Sequence, residues 1–274
     1  MNAGDFGRVS HHTRVEAWEC DFNGHWNTRF YMCAFQNAYE AIAMLETSRR
    51  VAAGSLDRRH VRFHRELHSG DPVEVRSVKV RDGDWDGAIA HALISGGRLS
   101  ATALDLPGHG SAHLPLHSAD ALGLFMPRGL RGALAVPDPG QARMTLVGIV
   151  QPHHFDHAGA MLFDEIIRCV SQAAHELTVT LGFSRDFTAR TGIGRMIVEF
   201  SACLLGNAQP GDSLHVLSWL SAVKDKAFVA THRLTNQAGV AIATVDLCYL
   251  AVDMRTRAAA AVPEFLGFER AQGA

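Results

Sequence analysis

The sequence predicts an α+β protein built from two like halves, each with one long helix followed by an antiparallel run of strands. Three observations predict it. Ordered blocks recur at a displacement of about half of the 274 residues, each half carries one amphipathic helical stretch, and four β-branched segments follow each helix.

The repeat comes first, because it organises the rest. Asp21 and Gly24 recur as Asp156 and Gly159, displaced by 135 residues. GDPVEVRS (Gly70 to Ser77) answers GDSLHVLS (Gly211 to Ser218) at 141, and GRLSAT (Gly97 to Thr102) answers GVAIAT (Gly239 to Thr244) at 142. The order is kept and the displacement drifts slowly, as in a duplication with small insertions.

In chain order, a strand is expected near 12–20, then a polar turn at Asn23-Gly24-His25. A helix follows from Thr28 to Glu46, with Phe30, Ala34, Ala38, Ala41 and Leu45 on one apolar face. Strands are expected at 60–67, 72–82, 86–95 and 99–106. Residues 107–143 hold five of the nine prolines and read as a linker between a unit at 1–106 and a unit at 144–274. The second unit repeats the plan, with a strand near 144–152, a helix from Leu162 to Leu181, and strands at 193–204, 213–223, 227–235 and 240–252. A lone helix before such a run must bury its apolar stripe against the sheet.

Composition narrows the function classes. The apolar fraction is 47%, the charged fraction 20% and the formal net charge −2, so the chain has a core and lacks the basic excess of a nucleic-acid binder. No run of about 18 apolar residues spans a membrane. Five separated cysteines suit reduced thiols better than a disulfide framework, and a cytoplasmic location is expected. The sixteen histidines are scattered, no metal site is expected, and neither a P-loop nor GxGxxG is present. Arg58, Arg59, Lys224 and Lys226 are the basic residues available to coenzyme phosphates; none forms a motif, and cofactor-binding residues stay unassigned.

Around the first turn the sequence reads WECDFNGHWNTRFY, with Trp18, Asp21, Gly24, His25, Asn27 and Tyr31 in one short stretch. This pattern resembles the hotdog-fold acyl-CoA thioesterases, in particular the 4-hydroxybenzoyl-CoA thioesterase-like group. The resemblance extends through the Gly70-Asp71 turn and the Gly97 hairpin. The second half keeps Asp156 and Gly159 but has Ala160 and Leu162 where the first has His25 and Asn27. The resemblance implies a double hotdog, two copies packed in one chain as a pseudo-dimer, with association of two such chains compatible but not required. It also implies an acyl-CoA or acyl-carrier-protein thioester substrate, no cofactor, and a site at the seam between the units. There the backbone N–H of Thr28 polarises the thioester carbonyl, with Phe163 its counterpart, and Asp21 attacks it or activates a water.

Those roles agree with simple chemistry. A helix N-terminus offers unpaired N–H groups and a positive dipole end, suited to a developing oxyanion. A carboxylate beside it supplies a base or nucleophile. Asp21 would also serve as a plain helix-entry cap, His25 as a loop-orienting group and Asn27 as an N-cap. Asp156 would be catalytic or structural. Tyr31, Phe30 and Phe35 read as core or tunnel wall, Cys20 as an apolar filler, and Glu40, Asp164 and Glu165 as helix acids. Two other functions stay open: an acyl-thioester hydratase or dehydratase, against which Arg168 stands where the helix acid would be, and a non-catalytic acyl-CoA-binding module.

Overall fold

The computed structural model describes residues 6–47, 56–108, 112–128 and 142–266, with the backbone alone at 45–47. Leu45 on the helix face, Pro137 and Pro139 of the expected linker, and the outermost residues of both expected units lie outside the described residues and side chains.

Two long helices, α1 (Thr28–Thr47) and α2 (Phe163–Thr180), form where the apolar spacing predicts them. Among the described residues ten strands build the body of the sheet: β1 (Arg8–Arg14), β2 (Arg58–Phe63), β3 (Pro72–Arg81), β4 (Ile89–Ser95), β5 (Arg98–Leu106), β7 (Ala142–Ile149), β8 (Ile193–Leu204), β9 (Ser213–Lys224), β10 (Ala227–Asn236) and β11 (Ala241–Asp253). A short β6 (Leu116–Ser118) lies parallel to β3. The strand order is β1-β3-β4-β5-β2-β8-β11-β10-β9-β7, and all its pairings are antiparallel. Read from either end, the order of elements is the same. Each half wraps a sheet about one long helix, the double hotdog that the resemblance implies.

Side-chain alternation explains which face is which. Val73 and Val75 of β3 pack toward α1 with Phe35, Ala38 and Ile42, whereas Val78 and Val80 face away, against Phe6, Trp85, Leu122 and Phe125. Residues 112–128, from the stretch expected as a linker, therefore cover the outer face of the first half. The α1-side core continues across the seam to Phe163, Ile167, Val170 and Leu177 of α2, so the halves share one core.

Three expectations are corrected. The first strand ends at Arg14, not 20, because Glu16 and Glu19 close reciprocal side-chain-to-backbone contacts that turn 17–19 into a short helical turn. The stretch near 60–67 is a regular strand only over Arg58–Phe63: His64 and Arg65 N–H both turn to the Ser100 carbonyl, and Trp26 N–H takes the carbonyl of Leu67 beyond. A short helix, α3 (Arg185–Thr191), was not expected; Ser184 caps its start and Gly192, at φ 71°, ends it. The sheet ends differ: β1 is polar, whereas β7 exposes Met144, Leu146 and Ile149. Among the described residues no helix is long and apolar enough to cross a membrane.

Buried polar side chains also follow the repeat. Ser77 Oγ lies 2.7 Å from His91 Nδ1, directly across the β3–β4 ladder, and Ser218 Oγ lies 2.8 Å from His232 Nδ1 across β9–β10. In the first half the chain continues. His91 Nε2 lies 3.4 Å from Asp105, which accepts two hydrogen bonds from Arg59 at 2.7 and 2.6 Å. In the second half Leu247 stands where Asp105 would be, and among the described residues His232 Nε2 has no partner.

Burial disfavours the charged imidazolium of His232 and lowers its pKa from 6.5 to about 3. A base whose folded pKa is depressed contributes its full stability above the unfolded value. That stability drains as pH falls from about 6.5 toward 3, because only the unfolded chain takes up the proton. Urea titrations across this window should show His232→Gln losing stability less steeply than the parent, by up to about 1.4 kcal/mol per pH unit. Identical slopes would contradict the burial of a neutral imidazole.

Candidate active site at the helix entries

Both Asp-containing turns have the same hydrogen-bonded form. Asp21 Oδ1 accepts from Asn23 N–H at 2.8 Å and His25 N–H at 3.1 Å, while Asp156 Oδ1 accepts from Ala158 N–H at 2.8 Å and Ala160 N–H at 3.0 Å. Asp21 N–H reaches the His25 carbonyl and Asp156 N–H the Ala160 carbonyl, at 2.8 and 2.9 Å. Gly24 and Gly159 take φ of 77° and 81° to close the turns. A Cβ at either would meet nothing within 4 Å, so the glycines answer a backbone requirement, not a steric one. The aspartates thus organise their loops and are not helix-entry caps. That duty falls to Asn27, whose Oδ1 accepts from Arg29 N–H at 3.0 Å; Leu162 at the start of α2 has no capping side chain.

The first helical N–H groups are available. Among the described hydrogen bonds neither the Thr28 nor the Phe163 N–H has an acceptor, and the Asp21 Oδ2 meets no donor. Asp21, Gly24, His25, Asn27 and Thr28 are gathered in one turn and the helix entry after it; Asp156 lies in the matching turn of the other half.

Each half surrounds its turn differently. Beside Asp21, His25 Nδ1 lies 3.3 Å from Glu66 Oε1, and its ring meets His68 edge-on at 5.3 Å. Beside Asp156, Asn207 bonds the loop backbone instead, accepting from Met161 N–H at 2.8 Å and donating to the Gly159 carbonyl at 2.6 Å. A cavity of about 600 Å³ opens there, lined by Ala158 to Met161, Ile166, Leu204 to Asn207, and Leu56 and Asp57 of the first half. Another, about 310 Å³, lies at the β1–β3–β4 edge among His12, Glu74 and Ile94, and none of its lining residues belongs to either turn.

The two helix entries meet. Arg29 Nε donates to Asp164 at 2.9 Å and its Nη2 to Glu165 at 2.5 Å; Glu165 also accepts from Arg168 Nε at 2.6 Å. Burial pushes the Glu165 carboxyl up, but the Arg168 hydrogen bond and charge, with Arg29 and His154, hold it below the ordinary value. Glu165 and Arg168 are thereby committed to each other. Glu40 accepts from Gln36 at 2.7 Å. Tyr31 and Phe35 are core, and burial pushes the Tyr31 phenol up.

Other sequence expectations change. Trp18 sits in the helical turn after β1 and is 75% exposed, not at a strand end. Arg59 is fully buried against Asp105, with its guanidinium 4.6 Å from the Phe163 ring centroid, and Arg58 covers Trp85 at 4.1 Å, so Arg59 is not a phosphate contact. Lys224 and Lys226 remain exposed. Four-residue histidine spacing does occur at His60, His64 and His68, but these sit on and beyond a strand, where that spacing does not converge. Among the described residues no three His, Cys, Asp or Glu side chains form a metal-holding group. Glu66 and Asn207 were not legible as site residues. The Ser77–His91 and Ser218–His232 pairs also went unread, although all four residues obey the 141-residue displacement of the repeat.

Comparison with known families matches residues 15–111 and 150–267 to the model of the thioesterase-like superfamily. Among solved structures, the chain is similar to a Lactobacillus plantarum protein provisionally described as an oleoyl thioesterase, with TM-score 0.61 and 10% identity over 91% of this chain and 98% of that one. It is also similar to a 12:0-ACP thioesterase from Umbellularia californica (TM-score 0.58, 13% identity, 89% and 94% covered). An acyl-ACP thioesterase from Bacteroides thetaiotaomicron gives 0.57, with 11% identity over 91% and 100%. At these identities the likeness is one of fold. A comparison with curated proteins found no match.

The left-handed backbone at Gly24 sets a measurable cost. Gly24→Ala should lose about 1–2 kcal/mol of stability in denaturant titration, and Gly159→Ala the same, with asparagine tolerated better at either position. A neutral alanine at Gly24 would show that the turn relaxes.

Proposed function

Because the chain belongs to the thioesterase-like superfamily, we propose that it hydrolyses an acyl-CoA or acyl-carrier-protein thioester at the Asp21 turn, at the seam of its two halves. One observation carries this reading: a carboxylate with one oxygen pinned by two loop amides stands before a helix whose first N–H has no acceptor among the described residues. Pinning Oδ1 fixes the direction of Oδ2, the oxygen left to act.

In this reading the thioester carbonyl oxygen accepts from the Thr28 N–H, and the α1 dipole stabilises the negative charge that grows there. Asp21 Oδ2 either attacks the carbonyl carbon, expelling the thiolate and leaving an anhydride that water opens, or takes a proton from the attacking water. Asn27 holds the first turn of the helix in shape, and His25 orients the loop. Residues 1–106 and 144–274 act as the two units, joined by 107–143. The chemistry is complete without a metal or nucleotide cofactor. The five cysteines, all free thiols, suit a reducing compartment, the cytoplasm.

A second reading has its own support. The 600 Å³ cavity borders the Asp156 turn and takes residues from both halves, so the thioester would be held there and Asp156 would act. The Phe163 N–H, in a helix start without a side-chain cap, would then be the donor.

Thiol release from a panel of acyl-CoA thioesters separates the two. Asp21→Asn should lower kcat by about 10²–10⁴-fold with little change in KM, and Asp156→Asn should do much less. Loss confined to Asp156→Asn would move the chemistry to the cavity side, and equal losses would remove the asymmetry. Activity should survive EDTA; activity lost on chelation and restored by zinc would overturn the mechanism. Hydration of an enoyl-CoA without thiol release would identify the lyase alternative instead.

A further inference from the structure

At the end of β11 the chain makes a tight turn in which one aspartate, Asp253, takes part in most of the hydrogen bonds. Asp253 Oδ1 accepts from Arg255 N–H at 2.9 Å and Thr256 N–H at 2.8 Å, and its carbonyl accepts from Arg257 N–H at 2.8 Å. The Asp253 N–H closes the turn on the Ala258 carbonyl at 2.9 Å. Arg257 is left at φ 59°, a left-handed conformation that is unfavourable for a residue with a Cβ.

That turn aims Arg257 across the seam. Its Nη2 donates to Glu66 Oε2, in a short ion pair between residues 191 positions apart. The other oxygen of the same carboxylate, Oε1, lies 3.3 Å from His25 Nδ1. His25 in turn gives its backbone N–H to Asp21 Oδ1. A residue of the second half thus holds the carboxylate that faces the imidazole of the first-half turn.

Fold stability does not account for this arrangement. The Arg257 and Glu66 side chains are 40% and 30% exposed, and pairs so open to water contribute little to stability. The left-handed backbone at Arg257 weighs against stability as well. Nor is the device symmetric. Around Asp156 the positions of His25 and Glu66 are held by Ala160 and Asn207, and Asn207 bonds the loop backbone directly.

We infer that Arg257 is a positioning residue for the Asp21 half-site. By holding Oε2 of Glu66 it turns Oε1 toward His25 Nδ1, so the proton of the neutral imidazole resides on Nδ1 and Nε2 is left as the acceptor. The catalytic part of this inference rests on the proposed hydrolysis at Asp21; the tautomer part does not.

The test uses the full chain. Long-range ¹H–¹⁵N correlation of the labelled protein, at a pH where His25 is neutral, should show the Nδ1–H tautomer in the parent and in Arg257→Lys. In Arg257→Gln it should show a shift toward Nε2–H. In the acyl-CoA assay, Arg257→Gln should lower kcat by about tenfold or more with KM within about twofold, and Arg257→Lys should recover most of it. In a Glu66→Gln background, Arg257→Gln should add no further loss. An unchanged tautomer in Arg257→Gln overturns the linkage; a changed tautomer with parental kcat overturns the positioning role. A fall in activity that Arg257→Lys does not recover, or that persists undiminished in the Glu66→Gln background, also overturns it. Asp21→Asn in the same assay separates the two claims: if that variant hydrolyses normally, the Asp21 reading fails, and the tautomer measurement still decides whether Arg257 sets His25.

Discussion

The antiparallel pairing of β2 with β8 joins the halves with His60 directly opposite Ser201, two positions that correspond under the 141-residue displacement. Arg58 faces Cys203 and Arg62 faces Glu199, so the ladder reads equivalently from either side. A seam of this kind is isologous and fixes a local two-fold relation. The remaining architecture follows from it. Both helices lie over the same face of one sheet, their first turns meet, and the core runs on from α1 to α2 without a boundary.

The meeting of those first turns shows what a single chain gains over a symmetric pair. Arg29 and Asp164 occupy corresponding positions, 135 residues apart, and they touch. In a pair of identical units, the same contact would set arginine against arginine or aspartate against aspartate. Two unlike halves place opposite charges on the axis, and Glu165 and Arg168 extend the network. Divergence went further around the turns, where the first half carries His25 and Glu66 and the second carries Ala160, Asn207 and a cavity. The backbone of the turns did not diverge, since each aspartate anchors two loop amides whatever else it does.

Much of this was legible in the sequence, because much of it is periodic or repeated. Helix spacing located α1 and α2 to within a residue at each start, and β-branched runs between turn signals located β8 to β11 to within a residue or two. What escaped depends on contacts between distant segments. Glu66 and Arg257 share no motif, and their pairing exists only because a capped turn in one half projects over the other. Arg59 reads locally as a surface cation; its burial requires Asp105 to arrive from β5 in the right register. The Asp21 turn was recognised, but the division of labour between Asp21 and Asn27 was not, since either residue type caps a helix and only backbone geometry decides which one does.

The unlike ends of the sheet bear on behaviour at high concentration. Among the described residues the strand path ends in a polar β1 and an apolar β7, so its two edges offer unlike surfaces to anything that approaches them. At the β7 end Met144, Leu146 and Ile149 leave apolar surface open to water, where the β1 end offers polar side chains.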